Sequence, residues 1–131
     1  MEQCKPKTIL IVEDDEAVRQ AIAEVMQLYG WQVLEASNGF HGLRVFKNQR
    51  PDIVLADVVM ADFDGFQLTT RIKSISPKAP VIIMTAFGAS ELRQKAHEVG
   101  VSVFLRKPFE TEELLVALRC SLENSANEKE S

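Results

Sequence analysis

Three apolar runs in this sequence each end in a chemically distinctive group. The acidic triplet Glu13-Asp14-Asp15 follows residues 9–12, Asp57 follows residues 53–56, and Lys107 follows residues 103–105. If these runs are neighbouring parallel strands, their carboxyl ends meet at one edge of one sheet, and so do the three groups. A carboxylate beside other carboxylates that can bind a metal ion, with a lysine opposite, could accept a phosphoryl group.

Carboxylates gathered at such an edge repel one another. Glu13, Asp14 and Asp57 within ~5 Å of one another would repel by roughly 3 kcal/mol per pair at an effective dielectric of about 20, and a cation relieves that repulsion. Hard oxygen donors that leave room for water suit Mg²⁺. Taken alone, the triplet is explained more simply as a solvated helix start, where the helix dipole favours acids. The metal-site hypothesis therefore depends on Asp57 and Lys107 lying beside it.

The other candidate residues also have structural explanations. Asp57 could initiate a loop before the turn at Asp64-Gly65, and Lys107 could be an ordinary surface lysine. Pro108, however, restricts the backbone of Lys107 directly after a strand, which favours a fixed ammonium that pairs with a carboxylate or a phosphate. Thr85 ends a fourth apolar run. Its hydroxyl could donate a hydrogen bond to a phosphate oxygen, or the residue could be there only because threonine favours strands.

Strands and amphipathic helices alternate along the whole chain. Short apolar runs predict strands at residues 8–12, 33–36, 53–56, 81–84 and 102–105, of which 8–12 and 53–56 are expected to be buried on both faces. Apolar residues at helical spacing predict helices at about 18–29, around 42–46 with an end before Pro51, at 66–74, at 90–99 and from 111 onward. Five strand–helix units predict an α/β fold with a parallel sheet covered on both faces. Its ligand site is expected beyond the carboxyl ends of the strands.

Length and composition restrict the class of protein. A chain of 131 residues, 46% apolar and 26% charged, has room for one globular domain. Its net charge of -4 disfavours direct nucleic-acid binding, and no apolar run approaches the ~20 residues of a membrane span, so membrane insertion is not expected. The polar start predicts a cytoplasmic protein. We expect a flexible N-terminus at 1–6, one domain at 7–122, and a disordered polar tail at 123–131.

Four motifs, taken in order, resemble the receiver domain of bacterial two-component response regulators over residues 7–122. They are Ile11-Val12-Glu13-Asp14-Asp15, Asp57-Val58-Val59-Met60 leading to Asp64-Gly65, Met84-Thr85-Ala86, and Lys107-Pro108-Phe109. The resemblance implies a flavodoxin-like (βα)₅ three-layer sandwich with a five-stranded parallel sheet in the order 2-1-3-4-5. It also implies a stand-alone regulator of the chemotaxis or sporulation type, or a fragment of a longer regulator.

The resemblance assigns the metal site and the phosphoacceptor. Asp57 matches the phosphoacceptor aspartate. Glu13 and Asp14 match the acidic pair that holds Mg²⁺ together with Asp57, and the backbone carbonyl of Val59 matches the remaining protein ligand. The pair Glu13–Asp14 is preferred to Asp14–Asp15 because of its spacing to Arg19 and Asp57, and a contribution of Asp15 in place of Glu13 stays open.

The resemblance also assigns the phosphate-binding and switch residues. Thr85, followed by Ala86, matches the hydroxyl that follows the phosphate, Phe104 matches the aromatic switch position, and Lys107 matches the lysine that pairs with phosphoryl oxygens. Phosphorylation is expected to draw Thr85 inward and to let Phe104 rotate. The face made by the fourth helix, fifth strand and fifth helix would then bind a downstream protein.

The expected function is acceptance of a phosphoryl group from a phosphohistidine of a sensor histidine kinase or phosphotransfer protein. The chain would catalyse its own phosphorylation and slow dephosphorylation without turning over an external substrate.

Three positions depart from the common pattern of the family. Ala61 replaces proline, which loosens the loop after Asp57, Phe104 replaces tyrosine, and Val59 has no polar side chain to orient an attacking water. A long-lived phosphoryl group is therefore expected.

Three other functions of the same fold fit the sequence less well. An aspartyl-phosphate phosphohydrolase would place a general acid two residues after its nucleophile, where this chain has Val59. A phosphorylation-independent interaction module would not need Asp57, Thr85 and Lys107 together. A flavin carrier is disfavoured because the acidic loop after the first strand would repel a flavin phosphate.

Overall fold

Five strands alternate with five helices in the computed structural model, which describes residues 6–60, 62–86 and 90–130. The strands are β1 (Thr8–Val12), β2 (Gln32–Ala36), β3 (Ile53–Asp57), β4 (Val81–Thr85) and β5 (Val103–Arg106). The helices are α1 (Glu16–Leu28), α2 (Gly39–Gln49), α3 (Gly65–Ile75), α4 (Ser90–Val99) and α5 (Thr111–Glu130).

The strands form one parallel sheet in the order β2-β1-β3-β4-β5, which confirms the predicted topology. The register aligns the ends of the strands. Val12 at the end of β1 pairs with Ala56, so that Glu13 and Asp57, which come next on each strand, lie side by side. Thr85 at the end of β4 pairs with Arg106, the residue before Lys107. The sheet therefore brings the predicted site residues to one edge.

Helices cover both faces of the sheet. On one face α1 and α5 pack over a cluster that includes Ile9, Met26, Leu55 and Leu118. On the other face α2, α3 and α4 pack over Leu10, Phe46, Ile72, Ile83 and Ala96. Every residue of β3 and β4 is buried, which explains why both runs are continuously apolar rather than alternating.

Local chemistry sets the ends of the helices. The Asp15 carboxylate accepts a hydrogen bond from the Val18 N–H and begins α1, and Asn38 begins α2 in the same way. Gly30 after α1 and Gly100 after α4 both have φ of +89°, a conformation that glycine adopts without the steric penalty of a side chain.

Several elements differ in length from the sequence-based expectation. Helix α2 runs over Gly39–Gln49: it begins before the expected stretch 42–46, because Asn38 caps it there, and it ends before Pro51 as expected. The apolar periodicity predicts an end of the last helix near residue 122, whereas α5 continues to Glu130. Ala, Glu and Lys in this extension have good helix propensity, and a helix that is already nucleated extends at little cost.

Parts of the earlier expectations lie outside the described residues, namely residues 1–5, Ala61 and Ser131. In the part of the chain that the structure describes, no helix has both the length and the apolar character that crossing a membrane requires.

Candidate functional site

The ends of β1, β3 and β5 each contribute one charged side chain to a shared cluster. Lys107 Nζ lies 2.8 Å from Glu13 Oε1 and 2.5 Å from Asp57 Oδ2. The strand order places β4 between β3 and β5, so that the lysine side chain reaches over the end of β4 to meet both carboxylates. The Lys107 N–H also donates to the Thr85 carbonyl at 2.8 Å, which fixes the start of the loop that follows β5.

Burial makes this cluster electrostatically unusual. Glu13 is 2% exposed and Asp57 is 7% exposed. Burial raises the pKa of Glu13 to about 7, and the nearby Asp57 adds to the rise, although hydrogen bonds from Lys107 and from the Asp15 N–H oppose it. Burial also acts against the charge of Lys107, but hydrogen bonds and attraction from Asp57 and Glu13 outweigh it and raise the pKa of that ammonium. Two carboxylates therefore share one positive charge.

The Asp57 carboxylate is held at both oxygens. Its Oδ1 accepts a hydrogen bond from the Val59 N–H at 2.9 Å, while Oδ2 accepts from Lys107. The backbone beyond is held as well, because the Gly65 N–H donates to the Val58 carbonyl at 2.9 Å. The Val59 side chain is 52% exposed, so the strand gives way to the surface directly after Asp57.

The phosphate-binding and switch candidates lie on the neighbouring strands. Thr85 is completely buried at the end of β4, and Ala86 after it is exposed. Phe104 on β5 is partly buried, and the guanidinium of Arg93 from α4 lies 5.4 Å from the centre of its ring. Thr85 and Phe104 therefore lie on adjacent strands, between Asp57 on β3 and the surface formed by α4 and β5.

Asp14 and Asp15 do not join the cluster in the same way as Glu13. Asp14 is exposed, and the Asp15 carboxylate is engaged at the start of α1, where it accepts from the Val18 N–H at 3.1 Å. Among the described residues, no three His, Cys, Asp or Glu side chains are grouped as a metal site. The buried position of Glu13 supports its choice over Asp15 as the partner of Asp57.

The donors at this edge fit a hard divalent cation in their chemistry. Glu13 and Asp57 offer carboxylate oxygens, the ligands that Mg²⁺ prefers. The two buried carboxylates are paired with the single ammonium of Lys107. A second cation at this edge would remove the remaining repulsion.

Arg19 supports the loop that carries Glu13. Its Nη1 donates to the Glu13 carbonyl at 2.8 Å, and its Nε donates to Glu35 Oε1 at 2.9 Å. The Glu13 N–H in turn donates to the Ala36 carbonyl at 3.0 Å. Helix α1 and strand β2 thereby fix the backbone on which the buried carboxylate depends.

One residue close to the site has no signal in the sequence. Asp62, in the loop between β3 and α3, accepts hydrogen bonds from three backbone N–H groups, and two of them belong to α2. A lone acid in a polar loop is ordinary, and its partners lie 22 and 23 residues earlier in the chain. Only the folded structure reveals the contact.

The structural relatives of this chain share its architecture. A CheY-like receiver domain protein from Methanospirillum hungatei JF-1 superposes with a TM-score of 0.89 and covers 95% of this chain and 99% of its own, at 24% identity. Chemotaxis protein CheY4 from Vibrio cholerae superposes with a TM-score of 0.86 at 28% identity, over 90% of this chain and all of its own.

Sequence comparisons point to the same family. Sporulation initiation phosphotransferase F from Bacillus subtilis is 35% identical over 119 residues, which cover 91% of this chain and 96% of that relative. Transcriptional regulatory protein GlrR from Escherichia coli is 36% identical over 122 residues, but this chain spans only 28% of its length. The model of the response regulator receiver domain matches residues 9–119. The chain therefore belongs to the receiver domain family of two-component response regulators.

Proposed function

We propose that this receiver domain accepts a phosphoryl group on Asp57 from a phosphohistidine of a sensor histidine kinase or phosphotransfer protein, in a Mg²⁺-dependent reaction. The observation that carries the proposal is the meeting of Asp57 and Glu13 on the single ammonium of Lys107 at the carboxyl edge of the sheet. Receiver domains act with histidine kinases and downstream targets and generally bind Mg²⁺, which agrees with this chemistry.

The phosphoryl transfer can be written with every bond and electron pair accounted for. A carboxylate oxygen of Asp57 attacks the phosphorus, an O–P bond forms, and the P–N bond to the donor imidazole breaks. The leaving nitrogen keeps the electron pair and takes a proton, and the product is an acyl phosphate on Asp57. Phosphoryl transfer of this kind depends on positioning and charge neutralisation more than on acid–base help. Lys107 supplies one such charge within reach of Asp57.

Four groups would hold the Mg²⁺ ion, namely the side chains of Glu13, Asp14 and Asp57 and the backbone carbonyl of Val59. When bound, the ion would neutralise charge on the transferring phosphoryl oxygens. The residues of the chain do the remaining work. The Val59 N–H holds one oxygen of Asp57 in place, and Arg19 holds the backbone of Glu13.

A groove beside the site could receive the phosphodonor. It has a volume of about 470 Å³, lies next to Lys107, and is lined mostly by apolar atoms of α1 and of the segment after β5, including Val18, Ile22 and Phe109. Apolar contacts would give affinity to a partner there while its phosphohistidine reaches Asp57.

A second surface fits the downstream partner. We expect Thr85 to follow the phosphoryl group and Phe104 to move with it, and so to change the face of α4, β5 and α5. A groove of about 670 Å³ on this face is lined by residues that include Val103, Leu105 and Val116. Phosphorylation would change binding of a protein at this face, without direct binding of nucleic acid, and the cytoplasm is the expected compartment.

The phosphoryl group is expected to persist. Val59 lies two residues after Asp57 and is half exposed, and its side chain has no polar atom to orient an attacking water. We therefore expect self-catalysed dephosphorylation with a half-life of many minutes. A half-life of seconds, measured by loss of the phosphoryl mass from purified protein, would contradict this part of the proposal.

The central proposal is tested by intact-protein mass spectrometry after incubation with acetyl phosphate and Mg²⁺. The wild-type chain should gain one phosphoryl mass, and the gain should disappear in Asp57→Asn and in the presence of a chelator. Asp52→Asn is the matched control, because Asp52 lies just before β3, at the opposite end of the strand, and its carboxylate accepts only from the Thr8 N–H among the described bonds.

Each outcome of this experiment separates the candidate functions. Loss of the adduct in Asp57→Asn but not in Asp52→Asn supports the phosphoacceptor. An adduct that survives Asp57→Asn would assign the chemistry to another residue. If wild-type protein takes no phosphoryl group from acetyl phosphate or from a phosphohistidine donor, and does not bind beryllofluoride, the interaction-module function replaces the proposed one.

A further inference from the structure

The carboxylate of Asp62 is docked on the first turn of α2. Oδ1 accepts hydrogen bonds from the Gly39 N–H at 2.9 Å and from the Phe63 N–H at 2.8 Å, and Oδ2 accepts from the Phe40 N–H at 2.8 Å. Gly39 and Phe40 are the first two residues of α2, whose N–H groups have no partner within the helix. Asp62 therefore caps a helix that lies far from it in the sequence.

Side-chain packing reinforces the same contact. The rings of Phe40 and Phe63 meet edge to face with their centres 4.7 Å apart, and the Phe63 ring is buried. A Cβ added at Gly39 would lie 2.9 Å from the Phe63 ring, so that only glycine allows the first turn of α2 to approach the loop this closely. The guanidinium of Arg71 covers the other part of the Phe63 ring, 5.2 Å from its centre.

The loop that Asp62 holds begins at the phosphoacceptor. Asp57 ends β3, and Val59 is bonded to it through the Val59 N–H. At its far end the loop is fixed by Asp64, whose carboxylate and Gln67 form a capping box at the start of α3. Between these two anchors, the carboxylate of Asp62 provides a third attachment, to a different helix.

We propose that Asp62 is a positioning residue for the phosphorylation site, which fixes the loop after β3 by docking on α2 and so holds the Val59 carbonyl in place for the metal ion. This inference rests on the proposed function, because it concerns the same metal site. Asp62 restricts the loop through charge-assisted hydrogen bonds to a helix N-terminus.

The charge of Asp62 suits this role. Burial is the largest single influence and opposes ionisation, but the backbone N–H donors together outweigh it and hold the pKa of Asp62 below its usual range, so that the carboxylate is ionised at neutral pH. The first turn of α2 contains no acidic side chain that would compete for these N–H groups. Asn38 occupies the remaining position by accepting from the His41 N–H.

Asn38 provides a matched control for Asp62. Asn38→Ala and Asp62→Ala each remove side-chain acceptors from the first turn of α2, but only Asp62→Ala detaches the loop after β3. We would measure the Mg²⁺ dissociation constant of each unphosphorylated protein from the NMR shift of the Val59 amide. Amide hydrogen exchange at Gly39 and Phe40 would report release of the loop directly, and urea unfolding would compare the loss of stability in the two variants.

We expect faster exchange at Gly39 and Phe40 and about 10-fold weaker Mg²⁺ binding in Asp62→Ala, the lower end of what loss of a supporting contact does to a metal site. Asp62→Asn should recover part of the affinity, since its amide oxygen can still accept from the Gly39 and Phe63 N–H groups. Asn38→Ala should bind Mg²⁺ as the wild type does.

Unchanged Mg²⁺ affinity in Asp62→Ala despite a released loop would overturn the inference while leaving the proposed function intact. Equal weakening in Asn38→Ala would also overturn it, because loss of helix stability would then be the cause. If the wild-type protein itself binds no Mg²⁺, the proposed metal site fails, and the positioning role of Asp62 fails with it.

Discussion

Lys107 Nζ donates a hydrogen bond to Glu13 Oε1 at 2.8 Å, although 94 residues separate them in the chain. The same ammonium contacts Asp57, so that one cation serves two buried carboxylates from β1 and β3. Breaking such a group by removing one partner is usually more harmful than replacing the whole of it, because the remaining charges lose their compensation. The three residues therefore act as one electrostatically coupled group.

The raised pKa of Glu13 predicts a stability that falls as pH rises. Burial raises the pKa of this carboxyl from its ordinary value of 4.5 to about 7, so the folded protein binds more protons between these values. Because the unfolding free energy decreases with pH wherever the folded state binds more protons, the contribution of Glu13 to stability is fully present below about pH 4.5 and is lost as pH rises through 7. The pKa of Asp62 is lowered and the pKa of Lys107 is raised, so these two groups change the stability only at pH values below and above this range, respectively.

Glu13→Gln should remove this dependence. Urea unfolding of metal-free wild-type protein should show an extra loss of about 1–3 kcal/mol between pH 5 and pH 8 relative to Glu13→Gln, from ~1.4 kcal/mol per pKa unit. Contributions of titrating groups that do not interact with Glu13 cancel in this difference. Parallel pH profiles for the two proteins would show that Glu13 titrates normally in the folded state.

Gly65→Ala should damage the site through backbone contact. A Cβ at Gly65 would lie 2.5 Å from the Asp57 carbonyl oxygen and 2.9 Å from Ile83 Cδ1. The oxygen belongs to a buried strand and cannot move freely, so we expect a loss of about 2–4 kcal/mol in unfolding free energy, as overpacked core positions show, together with slower phosphorylation.

Gly100→Ala is the control for that variant. Gly100 has a positive φ, but a Cβ there would meet only the flexible end of Lys73, at 3.5 Å. We expect a loss of about 1–2 kcal/mol from backbone strain alone, with an unchanged rate of phosphorylation by acetyl phosphate. If Gly65→Ala were no more harmful than Gly100→Ala, the close approach to Asp57 would not restrict this position.

The positions of Glu13, Asp57 and Lys107 at the sheet edge could be predicted because each residue follows an apolar strand. Parallel strands bring such ends together whatever the intervening helices contain. The need for glycine at position 65 could not be predicted in the same way. Asp64-Gly65 reads as an ordinary turn, and the Asp57 carbonyl that fills the space beside Gly65 becomes visible only after β3 and α3 have packed.

The contact between Asp62 and α2 escapes sequence reasoning for a related reason. Helix caps are predicted from residues directly before a helix, and Asn38 fits that rule for α2. Asp62 acts across space from a loop on another element. The length of α5 could not be predicted for a different reason. The apolar periodicity ends earlier in the sequence, and local helix propensity extends the helix to Glu130.

Lys107→Met should distinguish the role of the Lys107 ammonium from that of the Mg²⁺ ion. Without the ammonium, Glu13 and Asp57 lose their shared counter-charge, and we expect a loss of about 1–3 kcal/mol in unfolding free energy at pH 8. The loss should be smaller at pH 5, where Glu13 is protonated. Phosphorylation by acetyl phosphate should slow by about 100-fold, since one of the charges near the phosphoryl oxygens is gone.

In Lys107→Met, Mg²⁺ should bind more tightly, although phosphorylation becomes slower. Lys107 and the metal ion would both neutralise Glu13 and Asp57, so removal of the ammonium should tighten the Mg²⁺ dissociation constant, measured by titration of the metal-free protein. Arg106→Met is the control, because Arg106 is the exposed neighbour on β5 and changes the net charge equally. Weaker Mg²⁺ binding in Lys107→Met, or equal effects in the two variants, would show that the lysine does not compete with the metal for these carboxylates.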